Sequence, residues 1–348
     1  MRLGLNLGYL VAGDDPAGQL RLTRHAEELG FAVVWAAEAY GSDSPTVLAW
    51  LAGQTSRIEL GSAVMQIPGR TPAMTAMTAA SLDVLSGGRF RLGLGVSGPQ
   101  VSEGWHGVRF AAPLERTREY LDVVGAALRG DTVRYDGRHH RLPLPDGPGK
   151  ALRLTVRPTR PVPVYLAAVG PRNLRLAGER ADGWLAVFYS ADHAGEQLAA
   201  IAAGRAERGL GLEGFDVVPT VPLVVGPDVA ACADPVRAHA ALYVGGMGSR
   251  EQNFYNALAA RMGYAEEARR VQELFLDRRH REAAAAVPTE FIDRTSLLGD
   301  RPRLTARLRE LRDSGVTTCT VTPFAGSVEA KCEALTELAA AHADLGPA

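Results

Sequence analysis

Ile58-Glu59-Leu60-Gly61-Ser62-Ala63-Val64-Met65, a loop holding Pro68, the segment Pro72 to Leu85, then Phe90-Arg91-Leu92-Gly93-Leu94: this stretch decides the fold. Its ends are short apolar runs of strand length, and its middle carries a helical pattern. That helix opens on Pro72, a first-turn position where the missing N–H had no intrahelical partner to lose. Strand, helix and strand in immediate succession form a β-α-β unit, which lays its two strands parallel in one sheet.

The same rhythm runs outward in both directions. Toward the N-terminus, Leu3–Gly8 reads as a strand, Pro16–Leu29 as a helix closed by Gly30, Ala32–Trp35 as a strand and Pro45–Thr55 as a helix. Toward the C-terminus, a helix over Leu114–Leu128 is followed by Val133–Leu142, which reads as a β-hairpin turning at Asp136-Gly137. Pro143 to Pro163, rich in proline and glycine, reads as an insertion across the barrel rim. The rhythm then resumes: strand Val162–Ala168, helix Asn173–Arg180, strand Gly183–Val187, helix Ala194–Arg208, strand Val217–Val225. A mostly helical segment covers 245–299, Thr317–Val321 is the eighth strand, and Val328–Leu345 is a closing helix. Eight strands with interleaved helices predict an α/β fold, a (β/α)8 TIM barrel, as one domain over residues 1–348 with insertions at about 130–163 and 245–299.

Lys plus Arg number 38 against 39 Asp plus Glu, so no basic field is available to hold nucleic acid or an anionic membrane. A small-molecule partner is expected instead. Cys232, Cys319 and Cys332 lie far apart without a CxxC pair, which argues against a disulfide framework and a thiolate metal cluster, and fits a reducing cytoplasm. The N-terminus enters a strand-like run at once, without the layout of a secretory signal, and no apolar run is long enough to span a bilayer. His139 and His140 are adjacent on the hairpin and would point to opposite faces, so no metal-ligating set is expected.

In a barrel, active-site groups sit at the C-terminal ends of the strands. That rule selects Gly8–Tyr9, Glu38–Tyr40, Ala63–Gln66, Gly95–Gln100, Ala168–Pro171 and Phe188–Tyr189. Gly93-Leu94-Gly95-Val96-Ser97-Gly98 matches the G-x-G-x-x-G of dinucleotide folds. Pro99 to Gly107 lack helical periodicity, so the match reads instead as a strand-end loop whose glycines let the backbone approach a flat ring.

Trp35-Ala36-Ala37-Glu38-Ala39-Tyr40, Gly61 to Met74, Ser86-Gly87-Gly88-Arg89-Phe90-Arg91-Leu92-Gly93-Leu94-Gly95, Val101 to Gly107 and Ala181-Asp182-Gly183-Trp184 together resemble the luciferase-like superfamily. More narrowly, they resemble its bacterial F420-dependent oxidoreductases related to methylenetetrahydromethanopterin reductase. The resemblance spans nearly the whole chain. It implies coenzyme F420 as cofactor, with FMN, used by luciferase-like monooxygenases, as the alternative; it also implies a homodimer. It further implies a non-prolyl cis peptide at Ala63–Val64 behind the cofactor ring, Gln66 near the ring's pyrimidine end, and Gly95, Val96, Ser97 and Gly98 at the ring edge. Gly170, Pro171 and Asn173, where a strand gives way to a helix, are the implied phosphate site, and helix-terminal amides suit an anion there. Arg250 is a second phosphate candidate.

One departure bears on direction. Sugar-phosphate dehydrogenases of the family and the bacterial luciferases resemble one another in a histidine just after the acidic residue that follows strand two; Ala39 stands there in this chain. Without that imidazole, reduction by the reduced deazaflavin is the expected direction. Glu38, Tyr40, Glu103 and His106 are the candidate proton donors, with Glu38 and Tyr40 favoured because they follow a strand directly, and Asp43 standing nearby.

Overall fold

The computed structural model describes residues 1–250 and 252–346. Its eight barrel strands are β1 (Arg2–Asn6), β2 (Val33–Ala36), β3 (Glu59–Ser62), β4 (Phe90–Gly95), β5 (Val164–Ala167), β6 (Gly183–Val187), β7 (Asp216–Val225) and β8 (Thr318–Pro323). All pair in parallel and in chain order, and β8 returns to β1 through pairs such as Leu3 with Cys319, closing a TIM barrel. The helices used below are α1 (Pro16–Glu28), α2 (Ser44–Ala52), α3 (Pro72–Leu85), α4 (Pro99–Gly104), α5 (Pro113–Leu128), α6 (Pro171–Arg180), α7 (Ala194–Ala206) and α8 (Val229–Ala241). Asp15, Asp43 and Thr71 cap α1, α2 and α3 by accepting first-turn amides, each with a proline just inside the helix.

The barrel interior is filled by side chains. Val33, Trp35, Tyr165, Leu185 and Val218 form one inner cluster, with Trp35 edge-on to Tyr165 at 5.3 Å between centroids. Trp35 lies so close over Gly61 that a β-carbon there would meet its ring at 2.2 Å, which fixes glycine at that position. At the N-terminal mouth Arg2 reaches Asp216 at 2.7 Å, Arg91 reaches Glu59 at 2.6 Å, and Tyr165 donates to Asp216 at 2.9 Å. This ionic floor lies at the opposite end from the strand-end loops, so it belongs to stability.

Several expected boundaries move. The anticipated strand through Met65 breaks after Ser62, and Met65–Gln66 pairs separately with Leu94 and Gly95. Pro99 to Gly107 was expected to be non-helical, yet α4 occupies Pro99–Gly104. Its only buried residue is Ser102, so no apolar stripe announces it. The dinucleotide reading fails on topology instead, because β4 is the fourth strand of a closed barrel. The hairpin forms from Tyr135–Asp136 and Arg141–Leu142, but Gly137 N donates to His140 O, so Asp136 stands in a strand and not at the turn's centre. Glu119 decides this by accepting the amides of Arg138, His139 and His140 at 2.8 to 2.9 Å. The end of the first insertion runs under the barrel: Thr159 binds Asp83 and Arg160 binds Glu59, both at the N-terminal side. The helices α8 and Arg301–Asp313 had no assignment in the sequence; α8 carries an internal Pro235 that masks it.

Candidate active site

After β3 the chain turns through a cis peptide between Ala63 and Val64. Val64 lies over Gly95, where a β-carbon would stand 2.5 Å from Val64 Cγ2, so β4 needs glycine at the bulge. Ala63, Val64 and Ala167 back onto the barrel's inner cluster.

Glu38, just past β2, holds this bulge in place. Its Oε1 accepts from Gln66 N at 3.2 Å and Arg70 Nη1 at 2.6 Å, and its Oε2 accepts from Ser44 N at 3.2 Å and Ser44 Oγ at 3.3 Å. The side chain is 8% exposed. Arg70 also pairs with Asp43. Burial by itself would lower the Arg70 pKa, but the Glu38 hydrogen bond and the charges of Glu38 and Asp43 outweigh it and raise the value. Tyr120 anchors the same loop, donating to Arg70 O at 3.2 Å beside a 2.5 Å contact with Thr75 Oγ1, and burial pushes its hydroxyl up to about 12.

Gln66 is buried, and both ends of its amide are used: Nε2 donates to Ala39 O at 2.7 Å, and Oε1 accepts from Ser97 Oγ at 3.0 Å. It thereby ties together the loops after β2, β3 and β4. Ser97 adopts a left-handed φ of 62°, and Val96 packs against the main core. Gly98 caps α4, and a β-carbon there would stand 3.7 Å from Gln100 Oε1. Tyr40, by contrast, is exposed, with its ring 6.3 Å from that of Tyr9.

Glu103 and His106 make local contacts. Glu103 accepts from Phe110 N at 3.0 Å and faces Arg109 at 3.6 Å. The His106 ring lies against Gly69, with Nε2 buried and unpartnered among the described residues.

Helix α6 starts at Gly170, which offers no side-chain cap and has open space around it. Pro171 and Asn173 lie in its first turn, so the free amides and the positive dipole end face outward together. Arg250 is exposed. Arg172 lies within this turn, and Arg261 donates to Val169 O at 3.3 Å just ahead of it; sequence reasoning singled out neither. The bulge leaves a glycine-lined face that would take a flat ring, and the uncapped start of α6 would take an anion, so the residues fit a cofactor planar at one end and phosphorylated at the other, such as a deazaflavin of the F420 type.

Across the rim stands an aromatic group of which the strand-end rule singled out only Phe188, because the other members lie outside the strand ends, as far along the chain as 324. Phe188 follows β6, Tyr243 and Tyr255 lie in the helical segment after β7, and Phe324 follows β8, with His239 of α8 set between Tyr243 and Phe324 at 4.7 and 5.4 Å. Burial pushes the His239 imidazole down to about 4, so the ring is neutral at pH 7. Away from the rim, Glu115, Glu119 and His139 offer ligand atoms within 4.8 Å of one another, but Glu119 already serves three backbone amides.

The luciferase-like monooxygenase family matches residues 2–318, and the chain belongs to it. A Mycobacterium tuberculosis protein provisionally named as a coenzyme F420-dependent oxidoreductase is 44% identical over 337 residues, covering 94% of this chain and 96% of its own. The 5,10-methylenetetrahydromethanopterin reductase of Archaeoglobus fulgidus is 29% identical over 301 residues, 84% of this chain and 85% of its own. The structure of the coenzyme F420-dependent tetrahydromethanopterin reductase from Methanopyrus kandleri superposes with a TM-score of 0.82 at 25% identity, covering 97% of both chains. Among the described residues no helix is long and apolar enough to cross a membrane.

Proposed function

We propose that this protein is an F420H2-dependent reductase, delivering hydride to a C=C or C=N bond of a small organic substrate. It is an F420-dependent oxidoreductase with coenzyme F420 as its cofactor, a reading supported by the names of its relatives and by the fit of the site. The observation that carries it is the bulge of Val64 over Gly95 in the same rim as the open, uncapped start of α6. When bound, the deazaflavin supplies hydride chemistry at C5; the chain supplies orientation, exclusion of water and a proton.

Ala39 in place of a histidine favours reduction over alcohol oxidation. Of the strand-two candidates, Glu38 has both oxygens occupied by four donors, one of them a guanidinium, and serves to position the bulge. Tyr40 is exposed at the rim beside Tyr9 and is the proton donor, with Glu103 and His106 next in order. Gly170, Pro171 and Asn173 hold the phosphate, assisted by Arg261, and Arg250 is the outlying candidate.

The protein acts in the cytoplasm as a homodimer. The outer faces of α2 and α3 support the dimer: the two helices carry one charged residue, Asp83, which is buried, and they expose Trp50, Met74, Met77, Val84 and Leu85. A face without charge suits a copy of itself, because an isologous contact sets the same patch on both sides.

Absorbance titration with F420 and with FMN, followed by a screen of acceptors against F420H2, tests the reading. Micromolar F420 binding and acceptor-dependent oxidation of F420H2 are expected. Tighter FMN binding would give the monooxygenase alternative, and efficient oxidation of glucose 6-phosphate with oxidised F420 would overturn the direction.

A further inference from the structure

The aromatic group opposite the bulge is built from five separate parts of the chain, and its centre is under backbone strain. Phe188 has a φ of 49°, a left-handed conformation that a bulky side chain adopts only where its surroundings enforce it. The enforcement is visible: its ring meets Tyr243 at 5.7 Å, Tyr255 at 6.2 Å and Phe291 at 5.3 Å. Tyr243 and Tyr255 meet edge to face at 5.0 Å. Tyr243 also senses the hydroxyls of Tyr9 and Tyr40, which places the group across the same mouth as the strand-one and strand-two loops.

Two properties of this wall select a ligand. No lysine or arginine acts on its polar groups: burial alone lowers His239, burial alone raises Tyr255, and Tyr243 is raised by burial and by other tyrosines. An anionic substrate group would therefore lose its hydration here and gain no counter-charge. The polar ends are also unused. No hydrogen bond within the described residues engages the His239 ring nitrogens or the hydroxyls of Tyr243 and Tyr255, although all three side chains are half-buried. A neutral imidazole offers one N–H and one lone pair, and aromatic faces and edges favour a flat partner.

We infer that this wall binds an uncharged, planar, conjugated acceptor, with His239 hydrogen-bonded to its polar atom and the Tyr243–Tyr255 pair against its ring. The inference rests on the F420-dependent reading, since it names the class of substrate that the rim would present to the cofactor.

Coumarin and coumarin-3-carboxylate share a ring system and differ by one charge, which makes them the probes. The full-length protein, labelled at histidine, is titrated with each at pH 7 while the imidazole resonances are followed, both without cofactor and after loading with F420. Coumarin is expected to shift the His239 resonance and to bind at least tenfold more tightly than the carboxylate. His239→Phe keeps the ring stacking and removes the hydrogen bond, and His239→Asn keeps a donor and removes the ring; each should weaken coumarin several-fold while leaving F420 affinity unchanged. An unmoved His239 resonance, or equal binding of the two probes, overturns the inference. If F420 itself fails to bind, the cofactor reading falls, whereas the coumarin titration of the cofactor-free protein still decides the wall.

Discussion

At Glu38 the sequence and the contacts lead to different roles. A carboxylate after a barrel strand invites an assignment as acid, yet this one satisfies two backbone amides, a hydroxyl and the Arg70 guanidinium. Glu38→Gln removes one of the two carboxylates that hold Arg70, Asp43 remaining, so the loss is that of a charge-assisted hydrogen bond, about 1.5–3 kcal/mol. We expect a lower melting temperature and weaker F420 binding together. Tyr40→Phe should melt like the wild type and lose a factor of about 10²–10⁴ in turnover with a true acceptor. Full activity in that variant would turn attention to Glu103 and His106. His239 adds a pH dependence whose sign follows from its neutral folded form. The unfolded chain takes up a proton near pH 6.5 and the folded chain only near 4, so stability is complete above 6.5, declines between 6.5 and about 4, and is level below. The contribution is roughly 3 kcal/mol. Urea midpoints at pH 7 and 4.5 should differ by less in His239→Phe than in the wild type.

Among the elements, α6 is the one whose N-terminus can be tested cleanly. Gly170 has extended backbone angles, φ −84° and ψ 153°, and nothing lies within 4 Å of the point where a β-carbon would stand, so a valine there meets no strain and no clash. Gly170→Val should therefore keep its melting temperature and bind F420 at least tenfold more weakly, because its methyls occupy the approach to the free amides. Unchanged affinity would move the phosphate elsewhere. Gly95 makes the contrasting case, since a β-carbon there collides with Val64 and the bulge itself must shift. The elements with a strong pattern were legible: Pro72–Leu85 and Gly183–Val187 match their predicted limits. Those without one were not, as α4 buries only a serine and α8 interrupts its own pattern with Pro235.

For the whole molecule, the proposed homodimer rests on the uncharged outer faces of α2 and α3. Met77 and Leu85 are exposed at 51% and 67%, on a surface where a soluble monomer would ordinarily place charge. Met77→Glu combined with Leu85→Glu would set like charges against each other across a two-fold contact. Light scattering should show a dimer for the wild type and a monomer for the double variant, with the barrel's circular dichroism unchanged. A wild type that is monomeric at micromolar concentration removes the dimer.

The position of the bulge at Ala63–Val64 was legible only through the resemblance to a family, whereas the sequence by itself determined the barrel, the strand ends that face its rim and the glycine start of α6. These are local signals: apolar periodicity, prolines at first turns and glycines at strand ends are written within a few residues of the structure they specify. Only the tertiary structure decided what each rim residue does. Glu38 became a brace because Ser44, Gln66 and Arg70 converge on it, and His239 became a neutral group because Tyr243, one helical turn on, and Phe324, after β8, close around it. Such roles depend on desolvation and on partners distant in the chain, and neither has a spacing that a sequence can display.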